Sequence, residues 1–310
     1  MFRQVHHMGI VVDDLERARR VLGDGWGLRV NEDRTPGPEG ALDATMNARV
    51  LEFPLGQAFI RVFKPLDATS PMGQYLATRP GGGGHHISLI SDTAEFDVTR
   101  LMASGIKLWL PPAKRDWDGK SPVYFDPATT GGVVVQLWPD DGYQVSPQYQ
   151  GEGVFSKLHH CGVAMGSVDA ARDLWVGKVG CPVDHRRSPV QTGRTVGADY
   201  DPDKPASDPV QILDMPVGQT EIEVSVPRDM RSGTGRFVER FAAQGAAIHH
   251  ICPYAPDPER AVAYLNAHGL QQIGVLPERV PGRSRVSWYH PKSVLGVLME
   301  VWHDVPFDAE

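Results

Sequence analysis

VHHMGIVV (5–12), GHHISLIS (84–91), LHHCGVAM (158–165) and IHHICPYA (248–255) each set a histidine pair at the head of a mostly apolar run. Four more apolar runs answer them downstream: AFIRVFKP (58–65), GVVVQLWP (132–139), TEIEVSVP (220–227) and GVLMEVWH (296–303). Runs of this length, rich in β-branched and aromatic residues, read as strands. Recurrence of one unit in a fixed order marks a repeat architecture. His7 to His86 spans 79 residues and His160 to His250 spans 90, whereas His7 to His160 spans 153. The larger repeat is therefore half the chain.

Between the paired runs the period changes from strand to helix. In DDLERARRVLGDGWG, Leu15, Ala18, Val21 and Leu22 keep helical spacing, with Asp13 or Asp14 to cap the start. SVDAARDLWVGKVG repeats the pattern, with Ser167 as cap and Ala171, Leu174 and Trp175 on one face. PDPERAVAYLNAHG has Pro258 in its first turn and Gly269 past its end. DTAEFDVTRLMASG holds the same place in the second copy, and alternating strands such as VQILDMP and RVSWYHP follow the helices. The reading is α+β: four βαβββ modules, two to each half, forming cupped mixed sheets. Polar DDGYQVSPQYQGEG (140–153) separates the halves. It predicts one domain over 1–142, a linker over 143–153 and a second domain over 154–306.

The closing runs differ in one decisive position. The third and fourth carry Glu223 and Glu300, where the first and second carry Arg61 and Gln136. Two histidines and two carboxylates at matched positions of a repeat point to a divalent-metal site in the second half. Arg61 keeps its charge and repels a cation, and Gln136 is a weak neutral ligand, so the first half reads as a copy without metal. A net charge of −7 with no basic run argues against nucleic acid or a membrane surface as partner. No apolar stretch approaches the roughly 20 residues of a membrane-spanning helix. The start, MFRQVHHMGIVV, enters a strand directly, and three scattered cysteines make no disulfide framework. The expected compartment is the cytoplasm.

This pattern resembles the vicinal oxygen chelate superfamily, which includes glyoxalase I, methylmalonyl-CoA epimerase, extradiol dioxygenases and bleomycin-resistance proteins. FPLGQAFIRVFKPLDATSPMGQYLATRPGGGGHHI (53–87) and WYHPKSVLGVLMEVW (288–302) look most like the epimerase branch. The resemblance implies tandem vicinal-oxygen-chelate domains. Its metal ligands come from the first and last strand of each module, here His160, Glu223, His250 and Glu300. Within each histidine pair the second aligns with the ligands, leaving His159 and His249 for the opposite face. One ion per chain is implied, Zn, Co, Ni, Mn or Fe.

The same resemblance suggests an isomerase, epimerase or lyase that transfers a proton beside a metal-chelated carbonyl. Glu223 or Glu300 would be the base, and the substrate a small oxygenated molecule of carboxylate or CoA-thioester type. Counting back from Glu223 gives Asp208 as a second acid/base. Tyr289 and His290 precede the last strand as candidate cavity residues, and Arg279, Arg283 and Arg285 could hold an anion at the mouth. Homodimers are common among such proteins. Two alternatives stand beside this reading: an Fe(II) ring-cleaving dioxygenase of extradiol type using His160, His250 and Glu300, and a small-molecule binding protein.

Overall fold

A computed structural model describes residues 2–109, 117–151, 153–187, 194–196, 208–279 and 284–303. The first module runs β1 (Gln4–Val11), α1 (Leu15–Ala18), β2 (Ala41–Asp43), β3 (Ala48–Leu55) and β4 (Ala58–Pro65). After α2 (Pro71–Thr78), the second comprises β5 (Gly83–Ser91), α3 (Ala94–Ala103), β6 (Leu108–Trp109), β7 (Val123–Phe125) and β8 (Val134–Pro139). The third has β9 (Lys157–Met165), α4 (Val168–Ala171), β10 (Arg194–Val196), β11 (Val210–Val217) and β12 (Thr220–Pro227). Following α5 (Gly233–Phe241), the fourth has β13 (Ala246–Tyr254), α6 (Pro258–Ala267), β14 (Gln272–Ile273), β15 (Arg285–Tyr289) and β16 (Leu298–His303).

The strands make two eight-stranded sheets of identical order, β2-β3-β4-β1-β5-β8-β7-β6 and β10-β11-β12-β9-β13-β16-β15-β14. This is the fold expected, two α+β sheets of paired βαβββ modules. Opening and closing strands of a module pair in parallel, which requires a crossover, and the helix and hairpin supply it. The opening strands β1 and β5 are buried along their whole length, matching near-continuous apolar sequences. The outermost strands have only two or three residues, which shortens the edge left open to foreign pairing.

Helix starts follow the caps read from sequence. Asp14 accepts from the Glu16 amide and Ser167 from that of Ala170; the cap of α6, which the sequence reading did not name, is Asp257, accepting from the Arg260 amide. The turns after α1 and α4 widen into π-type geometry over Arg19–Asp24 and Arg172–Val179. Val21 is consequently only half-buried, whereas Leu15, Ala18 and Leu22 are buried. The intermodule helices α2 and α5 went unforeseen; each starts on a serine, Ser70 or Ser232, that accepts from a glycine amide three residues on.

Backbone packing also groups the chain into two compact units: Met1–His6 with His86–Gly142 and His160–His249, and His7–His85 with Tyr143–His159 and His250–Glu310. Within the first, the Arg100 guanidinium donates to the carbonyls of Lys178 and Val179 at 3.0 and 2.8 Å. Within the second, Arg17 donates to the carbonyls of Gly81 and Lys292 at 2.9 and 2.8 Å. Glycine is needed where two loops of this unit cross. Gly296 has φ +82, and a Cβ there would lie 2.0 Å from the Gly82 carbonyl oxygen. No helix among the described residues is long and apolar enough to cross a membrane.

Candidate metal centre

One register recurs in all four modules. His160 lies beside Glu221 and His250 beside Leu298, so Glu223 and Glu300 each stand two residues beyond their histidine's partner. Alternation along a strand has period two, so each carboxylate shares its histidine's face. His7 beside Phe59 and His86 beside Val134 give Arg61 and Gln136 the same offset in the first half. The sequence repeat is thus a geometric repeat of one histidine-bearing strand pair.

In the third module His160 Nε2 is 3.9 Å from Glu223 Oε2, and in the fourth His250 Nε2 is 3.3 Å from Glu300 Oε2. All four side chains are buried. Within each unit the histidine and the carboxylate thus form one close, buried pair. Ligand atoms held about 2.1 Å from a Zn-sized ion at tetrahedral angles are themselves about 3.4 Å apart. Each module's pair of one imidazole and one carboxylate therefore suits a divalent cation in donor type and in charge. In the first half the fit fails. Arg61 Nε pairs with Glu52 Oε2 at 3.3 Å, both buried, so a fixed cation already occupies the ligand position.

Several nearby residues were not legible beforehand. Ser225 Oγ donates to Glu223 Oε1 at 3.0 Å and so orients that carboxylate. Trp288 lies in register with Glu300, its ring edge-on to His250 with centroids 5.7 Å apart. Asp214 is fully buried directly across from Glu223. A lone acid in the apolar run VQILDMP was its only sequence signal, and Glu52 in ARVLEFPL is the same signal in the first module.

The other sequence candidates lie as follows. Asp208 is exposed and its Oδ2 accepts from the Thr234 amide and hydroxyl at 2.8 and 2.9 Å, at the start of α5. Tyr289 pairs with Met299, one residue out of phase with the Trp288–Glu300 pair, and burial pushes its phenol up to about 12. His290 Nδ1 accepts from the Lys292 amide at 3.1 Å. Arg285 is buried and pairs with Glu259 on α6 at 2.7 Å, holding that carboxyl below its usual range. Arg279 is exposed, and Arg283 lies outside the described residues.

The first histidine of every pair meets an aromatic ring. His6 stacks on Trp138 at 4.2 Å and His159 on Trp302 at 5.1 Å, while His85 and His249 take Tyr75 and Phe237 edge-on. Burial, helped by the Arg79 charge, lowers the His85 pKa to about 3. The unfolded chain takes up a proton near pH 6.5 that the native His85 refuses. Stability should therefore fall as pH drops from about 6.5 toward 3, by at most about 1.4 kcal/mol per pH unit from this residue. Urea midpoints at pH 7 and pH 4.5 test it: the gap should narrow in a His85→Gln chain, and an unchanged gap would assign the acid sensitivity elsewhere.

Comparison with known proteins agrees with this architecture. Residues 6–125 match the model of the glyoxalase/bleomycin resistance protein/dioxygenase superfamily. Mitochondrial methylmalonyl-CoA epimerases of Bos taurus and Homo sapiens are each 29% identical over 134 residues, 43% of this chain and 73% or 72% of theirs. A 4-hydroxymandelate synthase variant from Streptomyces coelicolor superposes over 98% of this chain and 93% of its own, with TM-score 0.68 and 13% identity. In sequence, then, residues 6–125 are similar to the glyoxalase/bleomycin resistance protein/dioxygenase superfamily, and the whole chain shares its fold with the synthase.

Proposed function

We propose that the second half, residues 154–306, holds one divalent cation on His160, Glu223, His250 and Glu300. The protein then acts as an isomerase, epimerase or lyase of small carbonyl compounds. The observation that carries this reading is the repeated register, which places a buried carboxylate beside a buried histidine in both modules of this half. The chemistry such an ion supplies when bound is polarisation of a substrate carbonyl. Glu223 or Glu300 takes the proton from the adjacent carbon, and Ser225 keeps the Glu223 carboxylate in place. Trp288 packs edge-on against the His250 ring and would help fix its orientation. Likeness to methylmalonyl-CoA epimerases supports a carboxylate or CoA-thioester substrate.

A second reading has its own support. His250 with its buried partner Glu300, joined by His160, would supply the two-imidazole, one-carboxylate set used by non-haem Fe(II) oxygenases. The two readings separate in one experiment. Metal-reconstituted protein is incubated in D₂O with a panel of acyl-CoA thioesters and 2-oxo acids, under argon and under air. Deuterium entering the carbon beside the carbonyl without oxygen uptake supports proton transfer. Oxygen consumption that depends on iron supports the oxygenase and overturns the isomerase.

A further inference from the structure

The loop after the first helical segment repeats between halves with a change of partner. In the third module the Asp184 amide donates to the Asp214 carbonyl at 2.9 Å, and the Arg187 amide donates to the Asp184 carbonyl. In the first module Asn31 and Arg34 make the same backbone bonds around Glu52. Glu52 and Asp214 are thus matched positions, each across from the ligand-position residue, Arg61 or Glu223. In the first half the cation for Glu52 comes from Arg61, and Arg34 lies over the Tyr143 ring at 4.3 Å. In the second half it comes from the loop: Arg187 Nη2 is 3.2 Å from Asp214 Oδ1, and Nη1 donates to both Glu221 oxygens at 2.7 and 2.9 Å.

Three carboxylates therefore crowd one patch. Glu221 is the register partner of His160, Glu223 follows two residues on, and Asp214 faces Glu223 across the strand pair. Paired residues in a sheet lie about 4.5–5.5 Å apart at Cβ, so Asp214 and Glu221 are both close enough to compete with Glu223 for a cation. Forked onto both, the Arg187 guanidinium engages them in charge-assisted bonds.

We propose that Arg187 is a positioning residue that withholds Asp214 and Glu221 from the metal and leaves Glu223 as the third module's carboxylate ligand. This rests on the metal reading given above. Carboxylate-rich sites favour hard ions such as Mn²⁺ and Ca²⁺, whereas imidazole suits Zn²⁺ and Co²⁺. Removing Arg187 should add oxygen donors and shift that preference.

The test uses the full chain loaded with Co²⁺, Zn²⁺, Mn²⁺ or Ca²⁺ and measures affinity by chelator competition, together with the Co²⁺ visible spectrum. In Arg187→Gln the Mn²⁺/Zn²⁺ affinity ratio should rise about tenfold or more, and the Co²⁺ bands should weaken as coordination number increases. Arg187→Lys should lie nearer the parent. The triple change Arg187→Gln, Asp214→Asn, Glu221→Gln should restore the parent ratio and spectrum, which a merely structural role for Arg187 would not produce. Parental ratio and spectrum in Arg187→Gln, or no restoration in the triple variant, overturns the proposal. Failure of the parent itself to bind any of the four ions overturns the metal reading instead. If Arg187→Gln does not fold, the triple variant against its Asp214- and Glu221-restored singles decides.

Discussion

A His250→Ala chain should emerge from purification with under about 0.1 divalent ion per molecule, against about one in the parent. Loss of a group that merely supports a ligand costs about 10–100-fold in metal affinity, and loss of a ligand itself costs more. His250 is buried with its Nε2 3.3 Å from Glu300. Its matched residue in the second module, His86, provides the control. The closing strand there carries Gln136, and the first module carries Arg61, so His86→Ala should leave the stoichiometry at one. Elemental analysis of both variants beside the parent reads the result. Metal retained by His250→Ala, or lost by His86→Ala, would place the ion somewhere other than proposed.

The second large effect is on stability. Replacing Arg61 by alanine should cost about 3–5 kcal/mol, because it strands the buried Glu52 carboxylate. A neutral pair of similar size removes the need for the cation. Glu52→Gln with Arg61→Met should recover most of the loss, and the amide can still accept from Asn31 Nδ2, now 2.8 Å from Glu52 Oε1. Chemical denaturation of the single and double variants measures both. An Arg61→Ala chain within about 0.5 kcal/mol of the parent would show that Glu52 is already satisfied by other groups, and the argument from burial would fail. The cost is local to the first half, so metal binding should persist in whichever variants fold.

How much was legible beforehand depends on the distance over which each feature is encoded. Helix caps lie within three residues of what they cap, and Asp14 and Ser167 do cap their helices. The closing strands β4 and β12 cover the quoted runs end to end. α2 and α5 escaped because their lengths, Pro71–Thr78 and Gly233–Phe241, offer little periodicity between strong strand signals. Around the site, Asp208 was reached by counting along the chain, yet the carboxylate that register sets across from Glu223 is Asp214. Tyr289 was likewise a neighbour in sequence, while pairing gives Trp288 to Glu300.

By itself the sequence determined the repeat, the α+β class, the strand pairs and which half carries two carboxylates at the ligand positions, because each of these is written as a local pattern recurring at matched places. Only the tertiary structure decided partners. Cross-strand register joins residues nine apart, Asp214 with Glu223 and Glu52 with Arg61, and a loop 27 residues upstream brings Arg187 to Asp214. A one-residue slip in register would exchange every such partner for one on the other face. No composition or spacing rule records that choice; it is made when the buried faces of the strands pack.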